Sequence, residues 1–467
     1  MSERNGQYDV AIIGGGPAGY VAAIRAQQLG AKAVVIEKQY WGGVCLNVGC
    51  IPTKTMVSTV EVLRLANMGA DLGLKGGVEV DYSAFLDRRG KVTKQLVGGV
   101  QGLLKANGAT QVFGTARLTA PGELEVQGQD GAQTIRAKNV LVATGSVPAK
   151  PPIPGLDLPG VVDSTGLLAL SEQPRELVII GGGYIGIEFG SIFTNLGTKV
   201  TVIEMLPRIL MQTDEELAKR LTQMLKRDGI EFHFDSQVNA VEEQEGKLAV
   251  RYTEKGQEKT ATGDTVLYAT SRRPYAEGLG LEELGVEMNG RAIKVNASME
   301  TNVPGVYAAG DVIGGIMLAH VAWEESKVAV SNMLGKRAKM EYHAVPAVVY
   351  STPELASVGL TEAEAHDQGY EVKVGRFPFS ANGRALGMNE AVGMVKIVSE
   401  GGSGEILGAH ILGPHASDLI AEPVIAMEMG ATAEDIDLTI HAHPTLPESI
   451  QEAALGTTGK MIHYIGR

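Results

Sequence analysis

Tyr8-Asp9-Val10-Ala11-Ile12-Ile13, then Gly14-Gly15-Gly16-Pro17-Ala18-Gly19, a small-residue stretch to Gly30, and Ala33-Val34-Val35-Ile36-Glu37 read in turn as strand, glycine turn, helix and strand. That is a βαβ fingerprint for a dinucleotide. Gly14 makes the tight turn, Gly16 lets a pyrophosphate approach the backbone at the helix N-terminus, Gly19 lets helix and strand pack closely, and Glu37 can accept from ribose hydroxyls. The pattern returns as Leu177-Val178-Ile179-Ile180, Gly181-Gly182-Gly183-Tyr184-Ile185-Gly186, a helix, and Lys199-Val200-Thr201-Val202-Ile203-Glu204. In both copies the acidic residue stands 23 positions after the first glycine. One copy alone fits a glycine-rich loop of another kind; two in the same strand context predict an α/β protein with two Rossmann-like dinucleotide-binding domains. At the second site Glu204 favours free ribose hydroxyls and would repel a 2′-phosphate, so NAD is expected rather than NADP. Met205-Leu206-Pro207 supply no cation, and Arg208 follows them.

Cys45 and Cys50 are the only cysteines in 467 residues, five positions apart in Gly42-Gly43-Val44-Cys45-Leu46-Asn47-Val48-Gly49-Cys50-Ile51-Pro52-Thr53-Lys54. A bridge closing so short a loop stabilises a fold by only about 2 kcal/mol, and a chain this long buries a large core without it. In regular helix, residues five apart are separated by about 7.5 Å along the axis, beyond the roughly 6.8 Å that bridged Cα atoms tolerate. Gly49 and the break at Ile51-Pro52 permit a distortion, and a strained, accessible bridge is the reducible kind. On the residues alone, a structural bridge and a redox pair both stay open. The paired Cys/His spacings of a zinc site are missing, so no metal is expected.

The length corresponds to roughly three domains, and the composition is that of an ordinary globular protein. A formal net charge of −13 argues against general nucleic-acid binding. Gly181, Gly182, Gly183 and Glu188 interrupt the apolar stretch from Leu177 to Phe193, so no membrane span is expected. The start, Met1-Ser2-Glu3-Arg4-Asn5-Gly6-Gln7-Tyr8-Asp9, lacks the basic beginning and apolar core of a secretory signal, and a cytoplasmic protein is expected.

With two dinucleotide sites and the cysteine segment assembled, the chain resembles the flavin-dependent pyridine nucleotide-disulfide oxidoreductases over essentially its full length. Ala143-Thr144-Gly145-Ser146, Thr301-Asn302-Val303-Pro304-Gly305-Val306-Tyr307-Ala308-Ala309-Gly310-Asp311 and His441-Ala442-His443-Pro444-Thr445-Leu446-Pro447-Glu448 carry the likeness as well. The resemblance implies tightly held FAD, one per subunit, on Gly14, Gly16, Gly19 and Glu37, with Gly114, Thr144, Gly145 and Ser146 lining the site. Asp311 would bond the ribitol, Met317, Leu318, Ala319 and His320 would run beside the isoalloxazine, and Lys54, paired with Glu188, would sit near flavin N5. It likewise implies NAD⁺/NADH on Gly181, Gly183, Gly186, Glu188 and Glu204, with Tyr184 as nicotinamide gate. Ser271 stands where the family usually has glycine. Implied domains are FAD-binding over 1–147, NAD-binding over 148–274, a central segment over 275–341 completing the FAD site, and an α+β interface (dimerisation) domain over 342–467.

The family branch that oxidises dihydrolipoamide fits best. There His443, oriented by Glu448 and reaching the cysteines of the neighbouring subunit of a homodimer, would deprotonate the dithiol. The resulting thiolate attacks Cys45, Cys50 leaves against the flavin, and NAD⁺ receives the hydride. His441 lacks the following proline and takes a supporting role. The implied partner is the lipoyl domain of an acyltransferase subunit or of a glycine cleavage carrier protein. A glutathione reductase-like activity is the nearest alternative, but it would place arginines where Glu204 stands. A mercuric reductase would need a C-terminal cysteine pair, and a noncatalytic nucleotide-binding subunit would have no use for Cys45, Cys50, His443 and Glu448.

Overall fold

The computed structural model describes residues 8–465, so residues 1–7 of the start read above for a leader lie outside it. The chain forms two compact units.

The first unit takes residues up to 55, 86–149 and 271–341. Its sheet is founded on Tyr8–Ile13, which pairs in parallel with Ala33–Glu37 on one side and with Gly131–Val142 on the other. Strands covered on both faces read as continuous apolar runs, which is why Val10 to Ile13 are all buried with no alternation. Thr110–Phe113 and Val306–Ala308 extend the parallel set. The strand Gly131–Val142 changes character along its length. Its first half pairs antiparallel with Glu123–Gly128, and its second half joins the parallel core. The helix Pro17–Gln28 follows the glycine turn, with Pro17 in its first turn, where the missing N–H costs nothing. It buries Ala18, Ala22, Ala23 and Ala26, and these small residues let it lie close to both the sheet and the helix Ala319–Met333.

The second unit takes residues 56–85, 150–270 and 342 onward. Its parallel sheet runs Glu231–His233, Lys199–Ile203, Glu176–Ile180, Thr265–Tyr268, Val161–Val162, flanked by an antiparallel three-stranded sheet over 236–263. The helix Glu215–Arg227 shows its design in sequence: Asp214 caps it, Glu215 and Glu216 fill its first turn, Lys226 and Arg227 its last, and Leu217, Leu221 and Leu225 form the buried stripe.

Beyond residue 342, an antiparallel sheet runs Ala347–Val349, Glu354–Gly359, Ile406–Gly413, Met394–Glu400, Val372–Pro378. Two short helices, Ala416–Leu419 and Ala421–Glu428, follow this sheet. Pro423 has no N–H to give the Leu419 carbonyl, which interrupts the ladder there. A buried ion cluster joins this sheet to the capped helix. Lys396 Nζ, with its side chain 2% exposed, lies 2.7 Å from Asp214 and 2.8 Å from Glu362, and Arg376 reaches Glu216 at 2.8 Å and Glu362 at 2.6 Å.

Candidate active site

At the first glycine turn a Cβ on Gly19 would fall 1.8 Å from the Gly14 carbonyl oxygen, so only glycine allows helix and turn to approach this closely. Gly16 caps the helix Pro17–Gln28 without a side-chain partner, leaving first-turn N–H groups directed at whatever occupies the turn. A Cβ there would meet only Gly43 Cα, at 3.6 Å. An open cradle of backbone donors at a helix start fits the pyrophosphate of FAD. Glu37 stands at its edge, accepting from Gly15 N at 2.6 Å, Gln39 N at 2.6 Å and Tyr40 N at 3.0 Å. Gly114 N donates to the Glu37 carbonyl at 2.9 Å.

The chain then starts the helix that carries Cys45 directly against this turn. Gly43, at φ +63°, begins the helix Gly43–Val48, and a Cβ on it would lie 2.6 Å from Gly16 Cα. Asn47 holds the bend by donating to the Trp41 and Gly43 carbonyls, each at 2.9 Å. The distortion allowed for in the sequence falls at Gly49 (φ −149°, ψ −113°), between the helix carrying Cys45 and the helix Cys50–Asn67. Both cysteines are half-buried and not joined by a disulfide, one of the two states between which a redox pair cycles. A hydrogen bond with Cys50, then burial, pushes the Cys45 thiol well above the ordinary thiol range, against the pull of the Lys54 charge. Cys45 therefore needs a base to become a nucleophile.

Asp311 opens the short turn Asp311–Ile313 and accepts from the Ser146 hydroxyl. Arg272 clamps Ser146, Nε donating to its hydroxyl and Nη2 to its carbonyl, both at 2.8 Å. Thr144 donates to the Tyr275 carbonyl at 2.5 Å, and Gly145 turns at φ +71°. Glu325, 2% exposed, accepts from Gly310 N at 2.7 Å and so fixes the approach to Asp311. Met317, Leu318, Ala319 and His320 are half-buried at the start of the helix Ala319–Met333.

In the second unit the turn geometry repeats. Gly183 caps the helix Tyr184–Asn195 without a side-chain partner and with open space beside it, while Gly186 packs on the Gly181 carbonyl. The same open donor cradle fits a second dinucleotide. Glu204 accepts from Gly182 N and from Leu206 N at 2.8 Å. Burial, then the Glu188 charge one helical turn away, pushes the Tyr184 phenol up. Glu188 is buried and accepts from Tyr350 N at 3.1 Å. Ser271, which belongs to the first unit, is exposed, and its carbonyl accepts from Ala149 N at 3.0 Å.

His443 is 77% exposed, and its Nδ1 lies 2.8 Å from Glu448 Oε1. The other Glu448 oxygen accepts from Thr445 N at 2.7 Å. Although burial opposes it, these two hydrogen bonds hold the Glu448 carboxyl below the usual carboxylate range. An ionised Glu448 can only accept, so Nδ1 carries the proton and Nε2 is the basic atom. His441 contrasts with it: its side chain is 6% exposed, with Nδ1 on the Thr439 carbonyl at 2.8 Å and Nε2 on Glu422 at 2.9 Å. Sequence reading passed over Gly43 and Arg272. The Gly42-Gly43 doublet was a usable signal for the first; nothing local announces that Arg272 grips a serine 126 positions away.

The sequence model described as pyridine nucleotide-disulphide oxidoreductase matches residues 8–326. The chain belongs to this family. A second model, the family's dimerisation domain, matches residues 345–454. This member is thus an oxidoreductase of the FAD- and NAD-using kind and a homodimer. Dihydrolipoyl dehydrogenase of Geobacillus stearothermophilus is 45% identical over 457 residues, 97% of each chain. That of Bacillus subtilis (strain 168) is 44% identical over 98% of each chain. Among solved structures, the Cu(II) complex of the HOCl-induced flavoprotein disulfide reductase RclA from Escherichia coli is similar at TM-score 0.87 and 30% identity, covering 96% of this chain and 99% of that one. No helix among the described residues is long and apolar enough to cross a membrane.

Proposed function

We propose that this family member is a cytoplasmic dihydrolipoamide dehydrogenase, oxidising the dihydrolipoyl group of an acyltransferase or glycine cleavage carrier protein and reducing NAD⁺ to NADH. The likeness to dihydrolipoyl dehydrogenases over 97% of the chain, with the Cys45-Cys50 pair intact, carries this reading. Nε2 of the partner subunit's His443, aimed by Glu448, takes a proton from one substrate thiol. The thiolate attacks Cys45 of the joined pair; the Cys45–Cys50 bond breaks, a bond from Cys45 to substrate sulfur forms, and Cys50 departs as a thiolate beside the Lys54 charge. Deprotonation of the second substrate thiol lets it displace Cys45, which closes the lipoyl ring and leaves the enzyme with two more electrons. Bound FAD, held by Gly14, Gly16, Gly19, Glu37, Gly114, Thr144, Gly145, Ser146, Asp311 and the Met317 to His320 segment, supplies the two-electron route to NAD⁺.

Lys54 sits in this reading beside the flavin, and Glu188 belongs to the NAD⁺ site. Gly181, Gly183, Gly186 and Glu204 bind NAD⁺, and Tyr184 gates it. The test is turnover of purified protein with free dihydrolipoamide and NAD⁺, set against glutathione disulfide with NADPH. NADH formation with the first pair is expected; turnover restricted to the second would make this a glutathione reductase-like enzyme instead.

A further inference from the structure

Taking Gly181 to Gly186 and Glu204 as the NAD site proposed above, we infer that Arg208 is a positioning residue of that site. It holds the loop after Glu204 in the shape that presents the carboxylate to a ribose, and it is thereby withheld from a 2′-phosphate. Its guanidinium Nη1 donates to the Ile209 carbonyl at 3.2 Å and the Leu210 carbonyl at 2.7 Å, and Nη2 to those of Met211 at 2.9 Å and Thr213 at 3.3 Å. A guanidinium has five N–H donors, and four are spent on the loop's own backbone.

The loop, so filled, folds back onto the glycine turn. Leu210, at φ +50°, donates its N–H to the Gly182 carbonyl at 3.0 Å, and Ile209 and Leu210 are buried. Gly182 N in turn donates to Glu204, whose other oxygen takes Leu206 N at 2.8 Å. Glu204 is therefore oriented by Gly182 N and Leu206 N, and the loop whose carbonyls Arg208 gathers braces Gly182 through the Leu210 N–H. The far end of the loop is fixed as well, because Asp214 caps the helix Glu215–Arg227 and meets buried Lys396 at 2.7 Å. A lysine at 208 would bring a point charge without the planar fork that four converging carbonyls require. The first site shows the same economy of cations: Lys38, next to Glu37, lies over the Tyr275 ring at 3.9 Å.

The test is calorimetric binding of NAD⁺ and NADP⁺ to the intact flavin-loaded dimer, together with hydrogen exchange of residues 205–213. Arg208→Met should weaken NAD⁺ about tenfold and speed exchange in the loop while exchange in Lys199–Ile203 stays slow; Arg208→Lys should not restore either property. Glu204→Ala should lose NAD⁺ affinity without gaining NADP⁺ affinity beyond about threefold. Arg208 would be a phosphate acceptor, and the inference wrong, if Glu204→Ala gained tenfold or more for NADP⁺ and adding Arg208→Met erased the gain. Wild-type NAD⁺ affinity and loop exchange in Arg208→Met or Arg208→Lys would also overturn it. Equal affinity of the unaltered protein for NAD⁺ and NADP⁺ would instead remove the premise about Glu204.

Discussion

Cys45 is a poor nucleophile in its own environment, because the hydrogen bond with Cys50 and burial favour the neutral thiol. In the reduced protein its thiolate should form only above the ordinary thiol range unless a base intervenes. Alkylation of Cys45 after anaerobic reduction should therefore climb steeply at alkaline pH, and His443→Gln should slow it further near neutrality. The sign for stability follows from the same raised thiol. The folded state holds a proton that the unfolded state has released, so the contribution is complete below the unfolded thiol range and is lost as pH rises. The reduced protein should then lose thermal midpoint relative to the oxidised one as pH climbs past neutrality. A flat difference between the two forms would contradict the environment described for Cys45. At this scale the cysteines stood out because they are the only two and lie five positions apart, whereas His443 and Glu448 were named through the family resemblance. Arg272 could not be picked out, since its partner Ser146 is distant in the chain.

Among elements, the critical contact lies between the glycine turn and the helix Gly43–Val48. Gly43→Ala would drive a methyl toward Gly16 Cα, 2.6 Å away, at a positive φ that alanine tolerates poorly. A destabilisation of about 1–3 kcal/mol is expected, with flavin lost on gel filtration; full flavin retention would contradict the packing. The strand Met394–Glu400 supplies a second contact. Lys396→Met leaves Asp214, 4% exposed, buried without its cation, which costs about 3–5 kcal/mol. Although burial opposes it, His410 and Lys396 hold the Asp214 carboxyl below its usual range. Its contribution is present above the unfolded carboxylate range and lost as pH falls. The midpoint deficit of Lys396→Met should accordingly be largest near neutrality and shrink in acid. The βαβ strands were legible because fully covered strands write themselves as Val and Ile runs. Lys396 was not: a lysine between Val395 and Ile397 reads as ordinary strand alternation, and only the sheet's partners reveal that it is buried.

For the whole molecule, the proposed chemistry needs the homodimer, because in it the base would come from one subunit and the sulfur pair from the other. Cys45→Ser and His443→Gln should each be inactive alone. After unfolding and refolding together they should recover roughly a quarter of wild-type turnover, because mixed dimers assemble one complete site. No recovery from demonstrably mixed dimers would place base and sulfurs in the same chain. Repeated motifs made the two-nucleotide architecture legible, whereas the ion cluster joining the C-terminal sheet to the capped helix has no period to betray it.

The most direct measurement is mass-spectrometric thiol mapping of the purified dimer before and after anaerobic addition of dihydrolipoamide without NAD⁺. Cys45 and Cys50 should resist alkylation beforehand and both label afterwards, returning to the protected state when NAD⁺ is added. Equal labelling in all three conditions, with turnover intact, would contradict a Cys45–Cys50 relay.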